Sequence, residues 1–276
     1  MTDGTTWLAA PRSIAFGGYH VVLARGLTPE ELADRLAENV DDMPCIAVPA
    51  GEHTGDSLEE LLDEVLNDTF GDRTGIGLRL GRTGDWAHAV AYGAWQGEFG
   101  SPEPVSRGDV HACLLEYEEE KGKPVPPRFE YARDGRLLGA FNLHLDATWG
   151  YEGVTGDPAT GTRLQDLLTA AGLPDPEPDH REVHRTALGV IERFLSLSLP
   201  RSQIVDGTLP AVILEPAWSP RRPSRGHQRA LSLHANNCGA EGWHSPASPT
   251  SLSLLLPRAA RGPGRRFSDE CEPFGT

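Results

Sequence analysis

Lysine is almost missing from this 276-residue chain: Lys121 and Lys123 are its only two, among 25 lysines and arginines together. Lysine codons are AT-rich, so this bias points to a GC-rich coding sequence and says nothing of mechanism. Cysteine is scarce as well. Cys45, Cys113, Cys238 and Cys271 are widely spaced with no C-x-x-C pair, which argues against a disulfide framework and fits reduced thiols. No stretch approaches the ~18 consecutive apolar residues that span a bilayer. The opening MTDGTTW has neither the basic start nor the apolar run of a secretion signal. A cytoplasmic protein with no membrane association is the expectation. There is no G-x-S-x-G elbow, no P-loop, and no G-x-G-x-x-G that opens a helix after a strand. Nucleotide binding and elbow-type hydrolysis are therefore unsupported, and no cofactor is expected.

Charge of one sign is what the chain has in excess, with a formal net charge of −15. The excess is uneven. Residues 219–276 carry eight arginines against four acids, for +4, whereas residues 1–218 hold 17 basic and 36 acidic side chains, for −19. A body so acidic repels phosphate backbones, so it is not expected to bind nucleic acid. The last 58 residues are rich in Arg, Ser, Pro and Gly and keep neither a helical nor an alternating period. Such a composition buries too little apolar area to offset the entropy of ordering, and predicts a disordered tail after a single domain over 1–218. Out-of-frame reading of GC-rich DNA yields the same composition, and codon usage across Trp218 tests that origin. The tail's His227, His234, Cys238, His244 and Cys271 fit no compact zinc spacing.

Within the body, periodicity predicts an α+β fold. Thr28, Pro29 and Glu31 form a helix start ahead of an apolar stripe at Leu32, Ala33, Leu36, Ala37 and Val40. Ser57 and Glu60 suggest the same ahead of Leu58, Leu61, Leu62, Val65 and Leu66. From 76 to 142 the period becomes alternating, with Asp134-Gly135 as a hairpin turn. At least five strands fall there, joined too tightly for crossover helices, so the sheet is expected to be antiparallel. Helices return at 162–171 and 180–196, and the run LPAVILE (209–215) predicts a further strand at a sheet edge. The expected architecture is an antiparallel sheet of five or more strands, with helices near 28–40, 57–67, 162–171 and 180–196 packed mainly on one face.

Candidate sites are few. DHREVH (179–184) places two histidines four apart, but the zincin pattern needs its glutamate directly after the first histidine. Here it lies one position later, roughly 100° further round a helix. Asp179 and Glu182 match a D-x-x-E helix cap instead, which leaves His180 and His184 as a fallback metal pair. The EYEEE cluster (116–120) reads as a solvated strand end. On the strand 86–95, Trp86, His88 and Tyr92 share one side opposite Ala87, Ala89 and Ala91. With Trp95, Gln96 and Glu116 they are the candidates for a pocket or partner surface, although core aromatics and a hydrogen-bonded sheet histidine are the preferred account of them.

Three stretches, VLARGLTPEEL (22–32), the strand from Trp86 to Gly97 and FEYARDGRLLGAF (129–141), together resemble an uncharacterised actinobacterial family, domain of unknown function 6461. The resemblance covers about residues 5–216, and those proteins end near the last apolar run. It implies one structural unit over that span and carries no activity or catalytic residue. The polar residues mostly have structural explanations, so the expected function is a non-enzymatic protein-binding or regulatory module, immunity-like in that an acidic face masks a basic partner. The alternative is a small-molecule sensor or hydrolase-type enzyme with its pocket on the sheet.

Overall fold

The computed structural model describes residues 4–14, 18–40, 44–67, 75–96, 98–118, 126–174 and 179–217, with side chains of 65–67 excluded. The chain divides into Met1–Pro220 and Arg221–Thr276. The predicted tail lies outside the described residues, as do the side chains of the stripe positions Val65 and Leu66. No described helix is long and apolar enough to cross a membrane.

Eight strands form one sheet: β1 Gly18–Arg25, β2 Cys45–His53, β3 Ile76–Thr83, β4 Trp86–Gly93, β5 His111–Glu118, β6 Arg128–Arg133, β7 Arg136–Asn142 and β8 Leu209–Pro216. Their order is β2-β8-β3-β4-β1-β5-β6-β7, and every ladder is antiparallel. The α+β class with its antiparallel sheet is as the periodicity predicted. The last strand is a correction. β8 is not an edge; it sits between β2 and β3, because β2, a strand the sequence does not announce, covers its outer side. β2 contains Pro49 and Gly51 at a register shift, and an edge strand tolerates both, since its outer side needs no ladder donor.

The helices are α1 Pro29–Glu38, α2 Gly55–Asn67, α3 Pro158–Ala170, α4 His180–Leu195 and α5 Arg201–Val205. In α1 the capping box forms as expected, with Thr28 Oγ1 accepting from the Glu31 N–H and Glu31 accepting from the Thr28 N–H. α2 starts two residues early. Thr54 Oγ1 accepts from the Ser57 N–H and Ser57 Oγ from the Thr54 N–H, so Ser57 closes the box from within the helix and does not begin it.

Alternation along the strands sorts the core into two layers. α1 packs its Leu32, Ala33, Leu36 and Ala37 against Ala87, Ala89, Ala91, Val22 and Leu114 on one face; small side chains on β4 let the helix approach closely. The other face carries Val21, Leu23, Val90, Trp86, Tyr92 and Phe129, covered by α2, α3, α4, α5 and the 3-10 turn Thr6–Ala9. Helices thus gather mainly on one face.

Arg79 on β3 points into that crowded face and is fully buried. Its Nε donates to the His53 carbonyl (3.0 Å), and its two terminal nitrogens to Tyr92 Oη, the Ile204 carbonyl and the Gly207 carbonyl (2.8, 2.7 and 2.6 Å). All four acceptors are uncharged. One guanidinium therefore joins the entry to α2, the end of α5 and the sheet. Gly81, two residues on, leaves room for the buried His88 ring. A methyl group at 81 would run into that ring's Nε2 and Cε1. Gly81→Ala is expected to cost about 1–3 kcal/mol in urea denaturation by overpacking; a loss below about 0.5 kcal/mol, the ordinary size of a surface change, would show that the ring yields freely.

Candidate functional site

Tyr19 is the second residue of β1, and Tyr117 lies opposite it near the end of β5. Both approach the first turn of α4. Asp179 caps that helix, its carboxylate accepting from the Arg181 N–H at 3.0 Å, and the turn presents His180 and His184 four residues apart on one side. The segment after β7 supplies the rest. Asn142 Oδ1 accepts from the Asp146 N–H while its amide donates to the Asp146 carbonyl, and this clasp presents His144 to α4. The His144 and His180 rings stack at 4.8 Å and 12°, while His144 and Tyr117 each stand edge-on to His184 at 5.8 Å.

Two cavities share His144 and His180. The first, about 430 Å³, is lined by Tyr117, Trp149, Arg181 and His184 among others; the second, about 580 Å³, by Asp146, Tyr151, Glu152 and Gln165 among others. Both fall in the size range of small-molecule sites. Trp149 stands at the rim, 47 % exposed.

Burial sets the protonation of this cleft. Desolvation, followed by the charge of His180, lowers the His144 pKa to about 4. Desolvation and then His144 lower that of His184 to about 3. Both are neutral imidazoles at pH 7, so neither adds positive charge to the cleft. A 2.7 Å hydrogen bond joins His184 Nε2 to Tyr19 Oη. Burial, then Tyr117 and Glu116, push the Tyr19 phenol well above its ordinary value, so it stays protonated. Asp146 is held below the usual carboxylate range by the Thr148 hydroxyl and N–H.

The fallback pair His180 and His184 does line a cavity, but its two Nε2 atoms have different partners. His184 spends its own on Tyr19, and His180 directs its own at Asp146, 3.6 Å away. Among the described residues no three His, Cys, Asp or Glu side chains are arranged to hold a metal ion. Asp179 caps α4 as expected, but Glu182 does not reach back; it pairs with Arg185 at 2.7 Å.

The sheet candidates do not converge. Trp86, His88 and Tyr92 are 3, 0 and 1 % exposed beneath the helical layer, which closes the pocket expected on that face. Trp95 is buried with the opposite layer and Gln96 is half-buried. Glu116 corrects the reading of a solvated strand end: it accepts from Arg128 at 3.0 Å and meets His20 Nδ1 at 2.7 Å. Burial alone would raise its pKa, but the hydrogen bonds and charges of His20 and Arg128 outweigh that and hold it low. His20 also lies 5.5 Å from the Trp95 ring, so it brings two candidates together in the core. Glu119 and Glu120 lie outside the described residues.

Sequence reading missed Tyr19, Tyr117, His144, Asp146 and Trp149. For His144, Asp146 and Trp149 the one local signal is NLHLDATW (142–149), where aromatic, acidic and imidazole side chains crowd into a segment with no regular period.

The fold and cleft define an α+β domain with an eight-stranded antiparallel sheet and a histidine-lined cleft at the N-terminal end of its longest described helix. No protein-family model, no curated protein and no solved structure matches the chain.

Proposed function

We propose that this protein is a binding module whose cleft between α4 and the ends of β1, β5 and β7 takes a small molecule. The observation that carries this reading is the pair of cavities meeting at the stacked His144 and His180 rings, walled by further aromatic side chains. Apolar walls with a few converging polar groups and shifted titratable residues are the usual marks of a ligand site. This is the sensor class of function, at a place the sheet-face candidates do not reach. The family resemblance adds no activity to it.

A fragment screen on the full-length chain, followed by NMR of the histidine imidazoles, tests the proposal. Fragments are expected to perturb His144 and His180, and His144→Ala is expected to weaken binding about tenfold or more, the loss of roughly 1.4 kcal/mol or more of contact. A screen in which no fragment moves either resonance, or hits whose affinity is indifferent to His144→Ala, would refute it.

The protein-partner reading has one observation of its own. Trp149 is a large exposed aromatic on the cleft rim, of the kind that anchors interfaces, and the acidic body suits a basic partner. Stoichiometric recovery of a partner by the wild type, lost with Trp149→Ala, is the outcome that favours it.

A further inference from the structure

We propose that the cleft's ligand is a compact organic cation with a planar or aromatic body. This rests on the small-molecule reading above and deepens it. The charged groups around the shared histidines are unevenly signed. Asp146 and Glu152 face the larger cavity, with no lysine or arginine among the described residues that line it. Asp179 and Arg181 face the smaller one and offset each other, while Asp179 is committed to the α4 cap. The excess is therefore negative and centred on Asp146.

Asp146 is also built to receive a donor. Its Oδ1 accepts from the Thr148 N–H at 2.8 Å and the Thr148 hydroxyl at 2.7 Å, which fixes the carboxylate in place. Its Oδ2 has, among the described residues, one near neighbour, His180 Nε2 at 3.6 Å, too long for a hydrogen bond. The side chain is 17 % exposed, and it lines the larger cavity, so this oxygen is open to a ligand there. Beside it lie π faces: the stacked imidazoles, Tyr151 on the same cavity, and Trp149 and Tyr117 on the adjoining one. Aromatic faces attract cations through the ring quadrupole, and a fixed, half-satisfied carboxylate accepts a strong charge-assisted hydrogen bond. An anion would meet three carboxylates, Asp146, Glu152 and Asp179, and electron-rich rings, with Arg181 as the one exposed arginine among the described lining residues.

Three molecules sharing one ring test the inference: benzamidine, benzamide and benzoate, titrated calorimetrically into the full-length protein at pH 7.5 and low salt. Benzamidine is expected to bind at least about tenfold more tightly than benzamide, and benzoate more weakly than either. Asp146→Asn, which keeps the acceptor for Thr148 but removes the charge, is expected to bring benzamidine down to the level of benzamide, about tenfold. Benzamide or benzoate binding as tightly as benzamidine, or benzamidine indifferent to Asp146→Asn, overturns the charge assignment and leaves the cleft reading standing. The charge assignment is likewise overturned if all three fail while neutral or anionic fragments from the wider screen bind at His144. If that screen is blank too, both readings fall.

Discussion

Replacing Arg79 with methionine is expected to destabilise the protein by about 3–5 kcal/mol, a large part of a domain's margin of roughly 5–15 kcal/mol. Methionine fills part of the volume but donates nothing, so the carbonyls of His53, Ile204 and Gly207 lose their hydrogen bonds; Ile204 is buried, whereas His53 and Gly207 are half-buried. Each unsatisfied buried acceptor costs about 1–3 kcal/mol. Because those carbonyls belong to the approach to α2 and the segment around α5, the loss should loosen both at once. Hydrogen exchange is expected to show reduced protection there before it does in β1 or β5. Arg79→Lys recovers only part of the stability, since one ammonium cannot reproduce a planar set of donors aimed at separate acceptors. A urea midpoint within error of wild type for Arg79→Met would show that the buried guanidinium is dispensable.

The second large effect is acid sensitivity. His88 and His184 are buried, with pKa values lowered to about 4 and about 3, against about 6.5 in the unfolded chain. Desolvation is the main cause for both, helped by Arg79 for His88 and by His144 for His184. Below about pH 6.5 the unfolded state takes up protons that the folded state refuses. Stability is therefore full above that pH and is lost as pH falls towards 4. The two rings together account for about 6 kcal/mol at pH 4, an order-of-magnitude figure from linkage, and His144, lowered to about 4, acts in the same direction. Glu59 and Glu130, whose pKa values burial raises, act in the opposite sense and soften the slope. Denaturation at pH 7.5, 6 and 5 should show the fall beginning near the unfolded imidazole value of about 6.5. Both His88 nitrogens lack hydrogen-bond partners among the described residues, so His88→Leu is expected to flatten the profile with little loss at pH 7.5. A stability curve level from pH 7.5 to 5 would contradict the burial of these rings.

Much of the architecture was legible in the chain. Helix α1 followed from Thr28, Pro29, Glu31 and one apolar stripe, and β4 from an alternation of bulky and alanine side chains. Such signals work because capping and periodicity are short-range: each needs only residues within a turn or two of one another. β2 escaped notice because Pro49 and Gly51 interrupt it, and those residues are tolerated only at an edge that the rest of the sheet defines. Arg79 was silent for a related reason. An arginine in an alternating segment reads as solvent-facing, and its backbone acceptors are 26, 125 and 128 residues away.

The cleft divides along the same line. By its sequence alone the chain determined that Asp179 starts a helix, that His180 and His184 share a side of it, and that DHREVH lacks the zincin spacing. Tertiary structure decided that Tyr19, 165 residues distant, would occupy His184 Nε2, that His144 would stack on His180, and that Trp86, His88 and Tyr92 would be core. Local geometry follows from neighbouring residues, whereas cavity walls are set by which strands and helices pack together, and that depends on the hydrophobic burial of the whole domain.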